Sequence, residues 1–313
     1  ALSVSGHSVI IKRITLPLMT AAELSEQIHW EAEQQIPFDI KDVQIDYEVL
    51  RRRPEQGQMD VLLVAAKKDE LGDTAQIARD ARLKPAVIDV DAFTVQNIYE
   101  ANYGLASDGT VALINVGATL TTINILSAGV PAFTRDIANG GNTMTEELQK
   151  QMNVSFEEAE IYKTGGAGTP QQGGMVPGNV PQILKQVVET LAGEVQRSLD
   201  FYLATSGEKE IQRVLLTGGT SNLPDLAQAI QRRAHTVVEQ LNPFKDIAVD
   251  PKTVKRKVLA HEAGLLLLDV LVVRHHLLGH EVGGGLVEGQ LVFVEALGRR
   301  DLQGAKAQQK AAS

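Results

Sequence analysis

The sequence predicts an α/β fold with mixed sheets. Short apolar runs of strand character alternate with segments of helical period. Two of those runs, 60–66 and 85–92, are almost continuously apolar, as in strands covered on both faces. Three strand patterns then follow one another across 110–138 with only tight turns between them. That is an antiparallel meander, which a purely parallel sheet would not contain.

The elements follow in order. The chain opens on "ALSVSGHSVIIKR" with no initiator Met and reads as a fragment begun inside a strand, with Ser5–Ser8 as a turn. "SVIIKRITLP" (8–17) is a strand that stops at Pro17. Thr20 and Glu23 have capping-box spacing, so each satisfies an orphan amide at the start of a helix that ends before Pro37. "DVQIDYEVL" (42–50) alternates like a half-buried strand, and "DVLLVAA" (60–66) is a buried one. Helix is expected over 69–82, strand over 85–92, and helix to about Tyr103. The meander occupies 110–117, 121–129 and 130–138. A helix starts directly after the glycine pair 140–141, and Ser155 with Glu158 forms a second capping box. The Gly/Pro-rich stretch 164–178 reads as a loop, followed by a long helix over 179–206. Strand 211–219 runs into Gly218-Gly219, and helix is expected from Leu223 to Ala234.

Composition sets the outer limits. At 313 residues, 43% hydrophobic and 22% charged, the chain has an ordinary globular balance and room for two domains. A net charge of −9 argues against a nucleic-acid partner, which calls for a basic face. Arg51–Arg53 and Lys255–Lys257 read as solvated surface. The absence of Cys excludes disulfides, thiolate metal sites and Cys nucleophiles. The longest apolar run, 264–273, carries Asp269 and is too short to span a bilayer.

Several local features admit both a plain structural reading and a chemical one. Gly117-Ala118-Thr119 is either a hairpin turn or a phosphate clamp, in which backbone amides and the hydroxyls of Thr119, Thr121 and Thr122 meet an anion. Gly218-Gly219-Thr220 is either a turn or a platform across which a ligand lies. No Walker loop is present. Glu160 and Lys163 share a helix face, either as a surface ion pair or as groups that grip a ribose or base. His276 and His280 have metal-ligand spacing but no third ligand, so "RHHLLGH" reads as a surface cluster.

The order of these features resembles the C-terminal half of the actin, Hsp70 and FtsA superfamily of ATP-binding proteins. "EAEQQIPFDIKDVQIDYEVL", "FTRDIANGGNTMTEELQ", "VLLTGGTSNLPDL" and "NPFKDI" narrow the resemblance to the PilM family of type IV pilus assembly, over about residues 1–250. The resemblance implies an actin-like (FtsA/Hsp70-type) ATP-binding fold. An inserted FtsA-like 1C subdomain would occupy 1–84 and the nucleotide-binding core 85–252, with an atypical segment at 253–313. It implies ATP with Mg²⁺. Gly117, Ala118, Thr119 and Thr121 would hold phosphate, and Gly140 and Gly141 would back the cleft. Glu160 and Lys163 would hold ribose or base, and Gly218, Gly219 and Thr220 the adenosine. It further implies docking of the PilN cytoplasmic tail, ties to the pilus assembly ATPases and inner-membrane pilus proteins, and a cytoplasmic place at the inner membrane. Self-association, as in FtsA-like filament formers, is a further expectation.

Three departures from the family pattern stand out. The segment that carries the first phosphate loop is missing from the start of this sequence. Asn115 stands where the superfamily commonly has a metal-placing Asp, and an amide cannot supply that charge to a Mg²⁺ shell. The Leu-, His- and Gly-rich segment from about Thr253 differs from the small-residue helix that closes the family's fold. The resulting expectation is a nucleotide-set adaptor with at most weak ATPase activity and no catalytic or metal-ligating side chain of its own. Nucleotide would favour one arrangement of its lobes, and the tail would bind that arrangement better. The rivals are a kinase or ATPase on the same fold and a filament former.

Overall fold

The computed structural model describes residues 1–104, 109–165 and 176–246. Expectations for 253–313, for Lys255–Lys257, for the apolar run 264–273, for His275, His276 and His280, and for most of the 164–178 loop fall outside those residues. The described chain divides into two compact units, Ala1–Ile98 and the residues from Tyr99 onward.

In the first unit, β1 (Leu2–Val4) pairs in parallel with β5 (Ile88–Val90). A separate antiparallel sheet joins β2 (Val9–Pro17), β3 (Val43–Arg53) and β4 (Gln58–Lys67) in the order β2-β4-β3. The central place of β4 explains its sequence: residues 61–66 are buried on both faces. One face is covered by α1 (Ala21–Gln35), whose Leu24, Ile28 and Ala32 recur every four residues and pack on Ile14, Met59, Val61 and Leu63. The Thr20–Glu23 capping box forms as expected: the Glu23 amide donates to Thr20 Oγ1 at 3.3 Å, and the Thr20 amide to Glu23 Oε2 at 2.7 Å. Helix α2 (Lys68–Asp80) follows β4 directly, and α3 (Asp91–Tyr103) follows β5.

The opposite face of this sheet buries a charge. Asp60, 1% exposed, accepts from Arg13 Nη2 at 2.7 Å, from Thr15 Oγ1 at 2.9 Å and from Arg53 Nη2. A bulge at Leu50 shifts the register, so that Val49 faces Val61 but Arg51 faces Asp60. Because side chains alternate along a strand, that extra residue brings Arg53, rather than Arg52, to the Asp60 face. The reading of Arg51–Arg53 as uniformly solvated is therefore corrected, since Arg53 is half-buried on a carboxylate. Burial alone would push the Asp60 carboxyl up. The hydrogen bonds from Arg13, Thr15 and Arg53, with the Arg13 charge, outweigh burial and hold it below its ordinary value.

In the second unit, β6 (Thr110–Val116), β7 (Thr121–Ser127) and β8 (Val130–Ile137) form the expected meander. β9 (Arg213–Thr217) joins β6 in parallel, and β10 (Val237–Gln240) joins β9, giving the order β10-β9-β6-β7-β8. The helices are α4 (Gly141–Met152), α5 (Phe156–Lys163), α6 (Val180–Ser206) and α7 (Leu226–Ala234). Val188, Leu191, Ala192, Val195 and Leu199 of α6 pack with Leu226, Ala229 and Ile230 of α7 against Ala112, Ile114, Ile123 and Ile125 of the sheet. The helix α7 begins three residues later than expected, because Leu223 precedes Pro224, which disfavours the helical conformation there. Strand β10 escapes a sequence reading: it has four residues, two of them polar, on a sheet edge.

Candidate functional site

Strands β6 and β9 are parallel neighbours, so their carboxyl ends emerge side by side. In open α/β sheets such ends are where ligands bind. Strand β6 leads into the Gly117–Leu120 turn, closed by the Gly117 amide donating to Leu120 O at 2.9 Å. Strand β9 leads into the short 3₁₀ turn Gly219–Asn222.

One carbonyl gathers three segments. Gly117 O accepts from the Gly141 amide at 3.0 Å and from Thr220 Oγ1 at 2.9 Å. The next carbonyl, Ala118 O, accepts from the Asn142 amide at 2.7 Å. The first amides of α4 are thus spent on the turn, and the helix start offers them to no anion. The peptides are trans, so the Ala118 and Thr119 amides point opposite to those two carbonyls, away from α4. Ala118 and Thr119 are exposed, which leaves their amides and the Thr119 hydroxyl at the tip of the turn.

Glycine is required where these backbones close up. A Cβ on Gly140 would lie 2.6 Å from Ala118 O. One on Gly218 would lie 2.4 Å from Val116 O and 2.5 Å from Asn115 Oδ1, and Gly218 has φ +88° besides. One on Gly141 would lie 2.5 Å from Thr220 Oγ1. The structure therefore brings Gly117, Ala118, Gly140, Gly141, Gly218 and Thr220 together, and Gly219 follows Gly218 on the exposed side of its turn.

Thr121 sits differently from its neighbours in the turn. It is fully buried, and its hydroxyl donates to Asn139 O at 2.8 Å; Thr122 likewise donates to Asp136 Oδ1 at 2.7 Å. Of the three threonine hydroxyls expected as anion donors, only that of Thr119 lies at the exposed tip.

Glu160 and Lys163 lie on α5, positioned by a capping box in which the Glu158 amide donates to Ser155 Oγ at 3.2 Å. Lys163 is no free surface cation. It is 11% exposed and its Nζ donates to Gly141 O, Thr145 Oγ1 and Glu160 Oε1. Thr145, four residues beyond Gly141 on α4, is absent from the sequence-based set of site residues; its spacing from the glycine pair is the signal that points to it. Among the described residues no group of three or more His, Cys, Asp or Glu side chains stands ready for a metal ion.

A family model for the type IV pilus assembly protein PilM matches residues 1–274. This chain belongs to the PilM family. It is also similar to a chain of the solved PilM–PilN type IV pilus biogenesis complex, at 29% identity and a TM-score of 0.71, covering 84% of this chain and 74% of that one. Weaker likenesses run to the ethanolamine utilization protein EutJ from Carboxydothermus hydrogenoformans (20% identity, TM-score 0.42, 56% of this chain and 57% of that one). A non-polymerising mutant of MamK bound to AMPPNP gives 17% identity and a TM-score of 0.40, over 57% of this chain and 62% of that one. The fold of this PilM family member is α/β with mixed sheets, as the sequence predicted, and is similar to that of the PilM–PilN complex chain. No helix among the described residues is long and apolar enough to cross a membrane.

Proposed function

We propose that this PilM family member is a nucleotide-binding scaffold of type IV pilus assembly that docks the cytoplasmic tail of PilN at the inner membrane. The supporting observation is the convergence on Gly117 O. The family resemblance implies that the turn after β6, the start of α4 and the turn after β9 serve one ligand site, and a single carbonyl joins all three. The residues present suit a nucleotide. The Ala118 and Thr119 amides and the Thr119 hydroxyl would take phosphate oxygens. Glu160 would accept from the ribose, and the Gly218-Gly219 backbone would lie along the adenosine. Residues 1–84 would be the inserted subdomain and 85–252 the core.

ATP with Mg²⁺ is the nucleotide proposed, the metal held by phosphate and water oxygens. Asn115 lies against Gly218 at the end of β6, and its neutral amide supplies no charge to a metal shell. Hydrolysis would therefore be slow, and the role that of an adaptor whose partner affinity depends on nucleotide. The docked tail would link this chain to the inner-membrane pilus proteins and the assembly ATPases.

The test is ATP affinity and turnover with and without the PilN N-terminal peptide. Tight ATP binding, negligible turnover and a peptide affinity that changes with ATP are expected. Many turnovers per minute, independent of peptide, would make the protein an enzyme on this fold. No ATP binding would return Gly117–Leu120 to a plain turn.

A further inference from the structure

The two sides of α1 differ in character. Leu24, Ile28 and Ala32 are buried against the sheet. On the other side, Glu23, Glu26, Trp30 and Glu33 follow at spacings of three, four and three residues, and all four are exposed. That spacing sets them in one stripe along the helix, about 15 Å long at 1.5 Å per residue. Trp30 is the only tryptophan of the chain and is 70% exposed. The stripe gains nothing from its own helix. Glu33 stands in the last turn, where the helix dipole disfavours a carboxylate, and that turn holds no basic residue. Glu23 and Glu26 are one turn apart and repel each other. The helix carries four Glu and no Lys or Arg. Among the described residues no Lys or Arg pairs with any of the four. The lysines that follow are engaged elsewhere: Lys41 pairs with Asp39, Lys67 lies 4.5 Å over the Phe38 ring, and Lys68 donates to Lys41 O.

We propose that this stripe is a docking surface for a basic, arginine-bearing segment of a partner protein. Charge complementarity carries the choice of partner. A guanidinium stacks on the Trp30 indole, while Glu26 and Glu33, one turn to either side, pair with the arginines next to it. Tryptophan is the side chain that most concentrates binding energy at an interface. A helical segment fits when its arginines recur every three or four residues, in step with the stripe. Anionic lipid and nucleic acid are repelled by the same carboxylates. The surface lies on the first unit and stands independently of the nucleotide reading.

Trp30 emission reports this surface directly, since no other tryptophan contributes. The full chain is titrated with an alanine-based peptide carrying arginine at every third or fourth position, and with its glutamine counterpart. The arginine peptide should change Trp30 emission to saturation, and the glutamine peptide should not. Glu26→Gln combined with Glu33→Gln should weaken the arginine peptide about fivefold, the scale of two surface ion pairs. Trp30→Ala, followed by calorimetry, should weaken it about tenfold. Glu55→Gln combined with Glu70→Gln removes the same charge from exposed positions elsewhere on the unit and should leave the affinity unchanged. Equal weakening by the two double variants means general attraction to a chain of net charge −9 and overturns the proposal. Trp30 emission that does not respond to the arginine peptide, equal binding of the glutamine peptide, or wild-type affinity in the Glu26→Gln, Glu33→Gln variant overturns it as well.

Discussion

The three-stranded sheet of the first unit and the five-stranded sheet of the second both centre on an apolar strand, but they differ in where their polar groups go. Strand β4 carries Asp60 within the sheet and neutralises it with arginines from both edge strands. Strand β6 is buried and apolar from Val111 to Ile114, and its polar chemistry begins at Asn115, where the strand ends. A charge inside a sheet costs desolvation unless partners surround it, so the β4 arrangement acts on stability and register. Polar groups beyond a strand end remain reachable by ligand.

That contrast can be broken at either end. The largest effect is expected from Gly218→Ala, which sets a methyl against Val116 O at a left-handed backbone position. It should cost about 4 kcal/mol, read as a lower urea midpoint. Wild-type stability would show that the three-way closure relaxes easily.

Asp60→Ala should cost about 2–3 kcal/mol, at or just below the range for a broken buried pair because Arg13 and Arg53 keep some solvent. Amide exchange along 58–67 would locate the loss. The Asp60 carboxyl has a lowered folded pKa, so its contribution is present above the unfolded value near 3.8 and is lost as pH falls through the folded one. Urea titrations at descending pH should show this loss in the wild type and not in Asp60→Asn. The smallest effects sharpen the comparison: Thr20→Ala and Ser155→Ala each remove one cap, one per unit, and each should cost about 1 kcal/mol in urea unfolding.

Local features are legible in the sequence, and long-range ones only by resemblance. Both capping boxes lie within four residues and are read directly. So is the burial of β4, because a strand covered on both faces has no polar alternation to hide it. The Asp60 network is not legible, since it depends on a bulge at Leu50 that swaps Arg52 for Arg53. At the candidate site the glycines and Thr220 are legible, and the structure brings them together. Thr121 and Lys163 read as ligand groups. Their protons go instead to Asn139 and to α4, partners 18 to 22 residues away that no spacing rule points to.

The bond from Thr220 to Gly117 O also dates the site in the life of the chain. Its two ends are 103 residues apart, and β6 waits equally long for β9. As the protein leaves the ribosome, the meander and the start of α4 are complete while the second turn is still unmade. The loop-closure entropy is offset only when β9 docks. A chain cut short before Thr220 would lack the bond that completes the three-way junction at Gly117 O.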